Sequence, residues 1–132
     1  MDQLFLFFGD SSAVPEHGDE QQIAAKPLIQ AIWNALPKST FDRVSDIDEW
    51  DSYGWYFDVS LGNVTVTTML QGSDQWLVLN IVNRRLMDRL MGRKYDTEVA
   101  SARSAILSAI RAAQGNPSLK WLTESEFRAL TS

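Results

Sequence analysis

The chain has no cysteine and a single histidine, His17. The first absence excludes disulfides and thiolate metal sites, and it fits a reducing compartment. The second leaves little for imidazole chemistry, because His17 stands alone between Glu16 and Gly18 in a stretch of turn formers. Long apolar runs are missing as well. Leu4 to Phe8 is too short for the apolar region of an export signal, and Asp2 stands where such a signal carries positive charge. No stretch approaches the length that spans a bilayer. The expectation is a cytoplasmic protein with no membrane contact. Basic residues are the minority, 12 against 17 acidic ones, for a net charge of −5. Phosphate contacts need a basic surface, so nucleic acid is not an expected partner.

What is present suits a packed domain. With 132 residues, 45% of them hydrophobic and 22% charged, the chain can bury a core without staples, and it reads as one domain over 1–132. The charge is unevenly spread. Asp42, Asp46, Asp48, Glu49, Asp51 and Asp58 gather around Arg43, whereas Arg84, Arg85, Arg89, Arg93 and Lys94 gather around Asp88.

The centre of the chain carries the clearest pattern. Residues 55–61, WYFDVSL, and 64–70, VTVTTML, alternate apolar and polar positions around Gly62-Asn63, a dipeptide suited to a two-residue hairpin turn. That loop length places Leu61 opposite Val64, Val59 opposite Val66, Phe57 opposite Thr68 and Trp55 opposite Leu70, all on one side of a sheet. Residues 76–82, WLVLNIV, predict a third strand. With a loop over Gly72 to Gln75, Leu70 faces Leu77, and Asn80 lies beside Thr67 on the other side, away from the core. Residues 40–44, TFDRV, offer a further strand. Leu4 to Phe8 predicts another, apolar on both faces.

Helices flank these strands. Leu28, Ile32 and Leu36 share a face between Asp19 and Leu36, with Pro27 marking either a start or a kink. Asp96 or Thr97 opens a helix that Gly115 closes after Gln114. Thr123 and Glu126 form a capping-box pattern, with Leu122 and Phe127 as a hydrophobic staple. The fold class is α+β: an antiparallel meander of three to five strands, helices packed on one face, and a helical C-terminal third.

Gly9-Asp10-Ser11 directly follows the first strand, and the stretch around it resembles the opening block of the GDSL-type hydrolases. In that family a strand delivers a nucleophilic serine, and a late Asp-x-x-His supplies its base. Here the C-terminal region holds no histidine, and His17 lies in the same loop as Ser11. A serine without a positioned base is no nucleophile, so the three residues read as a turn and no catalytic residue is assigned. The segment DIDEWD, 46–51, lacks the oxygen ligand and glycine a calcium loop needs at its fifth and sixth positions, and reads as a solvated acidic loop. No metal or cofactor is expected. Arg85, Arg89 and Arg93 are spaced four apart and, on a helix over 83–92, make a basic stripe able to take an anion.

The second face of the sheet is the most suggestive feature. In the register above it gathers Tyr56, Met69, Trp76 and Val78, with Trp50 and Tyr53 nearby in sequence, and aromatic and Met side chains are enriched at protein interfaces. The leading expectation is a small binding module that contacts another protein, or a second copy of itself. It would do so through this patch or through the acidic margin at Asp48 and Asp51. Two rivals stand beside it: a small-molecule site or enzyme between sheet and helix, and a structural homo-oligomer.

Overall fold

In the computed structural model, residues 3–9, 18–50, 54–72, 75–84 and 96–131 are described. They form β1 (Gln3–Phe8), α1 (Gly18–Ala35), a 3-10 turn (Lys38–Thr40), β2 (Arg43–Val44), β3 (Asp48–Trp50), β4 (Gly54–Leu61), β5 (Val64–Gly72), β6 (Trp76–Arg84), α2 (Asp96–Gln114) and α3 (Glu124–Thr131). The six strands make one antiparallel sheet in the order β1-β6-β5-β4-β2, with β3 also pairing β4. The class is α+β, as the alternation and capping patterns imply.

The hairpin has the expected register. Leu61 opposes Val64, Val59 opposes Val66, Phe57 opposes Thr68 and Trp55 opposes Leu70, and Gly62 supplies the positive φ of +61° that the tight turn requires. β6 does not follow the expected register. β5 runs on to Gly72, which pairs with Trp76, so Leu70 opposes Val78 rather than Leu77. Because side chains alternate, this slip of one residue exchanges the two faces of the whole strand. Trp76, Val78, Asn80 and Val82 point toward α1 and α2, while Leu77, Leu79 and Ile81 take the opposite face. Both sets are apolar, so alternation alone did not discriminate. The amide of Asn80, expected beside Thr67 in a polar setting, is instead fully buried opposite Thr68. It is tolerated because it is satisfied. Its nitrogen donates to Thr68 Oγ1 at 3.1 Å, and its oxygen accepts from Arg103 Nε on α2 at 2.7 Å.

The main core lies between the sheet and the two long helices. Leu6 and Phe8 of β1, Phe57 and Val59 of β4, Val66 and Leu70 of β5 and Val78 of β6 meet Ile29 and Ile32 of α1 and Ile106 and Ile110 of α2. α1 runs unbroken through Pro27. The hydrogen bond that Pro27 cannot donate belongs to the carbonyl of Ile23, and both residues are exposed, so water can reach the orphaned oxygen. Beyond the end of α1, Lys38 Nζ donates to the carbonyl of Trp33 at 2.9 Å and lies 4.0 Å from the centre of that indole ring. α2 ends as expected. Asn116 N–H donates to Arg111 and Gly115 N–H to Ala112, at 3.1 and 3.3 Å, with Gly115 at φ +62°. This is the Schellman arrangement.

α3 packs on the opposite side of the sheet from α1 and α2. Phe127 stacks on Phe5 and Phe7 of β1, with ring centroids 4.2 and 5.6 Å apart. The predicted capping box is in place: Thr123 N–H donates to Glu126 Oε1 at 3.1 Å and Glu126 N–H to Thr123 Oγ1 at 3.2 Å. Of the predicted strand over 40–44, only Arg43 and Val44 pair with β4. The segment 46–51, read from sequence as a solvated loop, contributes β3 instead. Its charged residues suit a short edge strand, where they deter pairing with other chains.

Candidate interaction site at the β3–β4 margin

β2 and β3 together flank one side of β4, separated by a short kink that Ser45 fixes. Its N–H donates to the carbonyl of Asp58 at 2.8 Å, its hydroxyl accepts from Asp58 N–H at 2.8 Å, and its carbonyl accepts from Trp33 Nε1 at 2.9 Å. The kink sets β3 against the start of β4, with Asp48 opposite Tyr56, Glu49 opposite Trp55 and Trp50 opposite Gly54. Gly54 is required there. A Cβ at that position would lie 2.0 Å from the carbonyl oxygen of Leu70 on β5.

Trp50 thus stands at the sheet margin beside a residue with no side chain, and its ring meets Tyr56 edge-on, 5.7 Å between centroids at 90°. It remains 45% exposed, whereas Tyr56 is half-buried. Asp48 shares the face of Trp50 on the strand and Glu49 takes the other, opposite Trp55; both are exposed, and Asp48 Oδ1 accepts from Glu49 N–H at 2.8 Å, which holds the carboxylate along the strand. Asp46 adds an exposed carboxylate two residues before β3. The result is an aromatic pair in an acidic margin. Such a pair can enter an apolar pocket of another molecule while the carboxylates meet positive charge.

The residues expected to form one patch are separated. Tyr56 and Met69 do lie opposite each other on the second face, but Met69 is only 4% exposed. Trp76 and Val78, 6% and 0% exposed, belong to the helix-facing core because of the β6 register. Burial therefore withdraws Met69, Trp76 and Val78 from any surface contact. Tyr56 and Asp48 are brought together. Asp51, Tyr53, Arg85, Arg89 and Arg93 lie outside the described residues, as do Ser11 and His17. Trp50 and Glu49 were not assigned from sequence. No apolar/polar alternation marks Asp48, Glu49 and Trp50 as a strand, and the charge density of the segment gives a loop instead.

A second feature lies near the hairpin tip. Arg43, Ser60, Thr65 and Asn83, with Asp42, Gly62 and Asn63, line an open polar cleft of about 450 Å³. Its groups hold one another: Asp42 Oδ2 accepts from Gly62 N–H at 2.8 Å, and the hydroxyls of Ser60 and Thr65 are 3.2 Å apart. Asn80 is on the other face of the sheet, bonded to Arg103, and does not line this cleft. Among the described residues no three carboxylate or imidazole groups gather as a metal-ligand set, and no helix is long and apolar enough to cross a membrane.

The chain matches no protein-family profile, no curated protein and no solved structure.

Proposed function

We propose that the protein is a small binding module that captures a basic surface of another protein at the β3–β4 margin. The observation that carries this reading is the Trp50–Tyr56 pair, an edge-on aromatic contact with Trp50 45% exposed, set on the same face as the exposed carboxylate of Asp48. Large aromatic side chains that stay in water at a fixed position are the residues on which interfaces concentrate their binding energy. Here β3 pairing and the edge-on contact with Tyr56 hold the indole in place, so little conformational freedom is lost on binding. The surrounding negative charge selects a partner bearing Lys or Arg and speeds its approach.

The test is affinity capture by the tagged protein, run in parallel with a Trp50→Ala variant of unchanged circular dichroism. A partner recovered by the first and lost from the second supports the reading. Equal recovery by both contradicts it.

A further inference from the structure

β1 forms one edge of the sheet and reads Gln-Leu-Phe-Leu-Phe-Phe, without a charge, a proline or a glycine. Sheets ordinarily blunt an edge with charge or proline, because an apolar strand with free main-chain groups pairs with other chains. The chain's own C-terminal arm takes over that task. Phe5 N–H donates to the carbonyl of Leu122 at 2.9 Å, and Leu122 N–H donates to the carbonyl of Phe5 at 2.6 Å. Alternate residues of an antiparallel strand turn their main-chain groups to opposite sides, so Gln3, Phe5 and Phe7 face outward while Leu4, Leu6 and Phe8 bond to β6. Among the described residues, Phe5 is the one outward position with a main-chain partner beyond the sheet.

The arm is anchored unevenly. Its first part is tied to α2, through Arg111 Nε to the carbonyl of Leu119 at 2.8 Å and Trp121 Nε1 to the carbonyl of Arg103 at 3.2 Å. From Leu122 onward it rounds the sheet edge and leaves the main core. α3 has eight residues, shorter than a helix that persists alone, and its Leu130 is 67% exposed.

We propose that residues 122–131 guard a self-association edge: when they lift, the β1 strands of two copies pair antiparallel about a two-fold axis and join their sheets. A second copy fits this edge because an uncharged strand meets itself without like-charge repulsion. Phe5 and its neighbours then form cross-strand pairs of the kind that stabilise antiparallel ladders. The surface lies on the edge of the sheet opposite β3, so it stands independently of the Trp50 corner.

The test compares the full chain with a Phe127→Ser variant at equal concentration, by light scattering and circular dichroism. The variant is expected to keep the sheet signal, losing at most the helical signal of α3, while its average mass rises towards twice the wild-type value. Adding Phe7→Lys, which places a charge on the edge, is expected to return the mass to the wild-type value. An unchanged mass in Phe127→Ser overturns the proposal, as does association that persists with Phe7→Lys. Loss of the sheet signal in Phe127→Ser also overturns it, since the arm is then part of the core rather than a guard over it.

Discussion

Arg103 Nε lies 2.7 Å from Oδ1 of Asn80, a side chain with no solvent exposure. The same guanidinium reaches the main-chain carbonyl of Asn80 at 3.2 Å, and the Asn80 amide donates onward to Thr68 at 3.1 Å. This chain of polar contacts joins α2 to the middle of the sheet and compensates the burial of the Asn80 amide in the apolar layer. It also marks the register of β6: shifting the strand by one residue would carry Asn80 to the far face and break its side-chain contact with Arg103.

Asn80→Ala is therefore expected to cost about 2–4 kcal/mol, because both Arg103 and Thr68 lose a buried partner. Urea unfolding followed by circular dichroism measures it. A loss below about 1 kcal/mol, the scale of a surface change, would contradict the role assigned to the pair.

Gly54→Ala is expected to destabilise the fold by about 2 kcal/mol or more. The added Cβ meets a main-chain oxygen of the central strand β5, which cannot turn aside as a side chain can. The strain falls where β3 joins β4, so the Trp50–Tyr56 contact should loosen with it. Thermal unfolding gives the stability, and near-ultraviolet circular dichroism reports the aromatic packing.

Pro27→Ala works in the other direction. The exposed proline leaves the carbonyl of Ile23 without its helical partner, and alanine restores that bond with the best helix former. The gain is expected at about 1–3 kcal/mol, less than the full propensity difference because proline also restricts the unfolded chain. A destabilised Pro27→Ala variant would contradict this account of α1.

Glu126 carries a pH dependence. The N–H of Thr123 lowers its pKa below the ordinary carboxylate value, followed by the Thr123 hydroxyl; burial opposes them slightly, and Lys120 adds the smallest pull downward. A folded-state pKa below the unfolded one means the contribution is complete above the unfolded value and is lost as pH falls through the folded value. α3 should accordingly fray through the acid range. Chemical shifts of its residues, followed by NMR, test this, and Glu126→Gln should remove most of the acid-side change while Thr123→Ala weakens the helix at every pH.

Reversing the charge of Asp48 and Glu49 to lysine is expected to slow capture of the partner about ten-fold at low salt, with the difference shrinking as salt rises. An association rate indifferent to both changes would remove the electrostatic half of the proposed function.

Much of the fold was legible because local chemistry and tertiary packing agree. Gly62 at the hairpin tip, Gly115 after α2 and the Thr123–Glu126 pair each specify their geometry within a few residues, and all three appear as the sequence implies. The register of β6 was not legible. Residues 76–82 are apolar on both faces, so the deciding contact, Asn80 with Arg103, comes from a helical residue 23 positions further along the chain. The candidate site inherited that uncertainty. Trp76 and Val78 went to the core with the register, Met69 is buried despite facing the other way, and the residue that does stand in water, Trp50, lay in a segment whose charge disguised a strand.

The most direct measurement is hydroxyl-radical footprinting of the protein with and without its captured partner, read residue by residue by mass spectrometry. Ile23, Trp50 and Leu130 are the large apolar side chains exposed among the described residues, so each should react readily in the free protein. With the partner bound, oxidation of Trp50 should fall several-fold while Ile23 and Leu130 stay as reactive as before. Unchanged oxidation of Trp50 in the complex would place the interface elsewhere and contradict the proposed function.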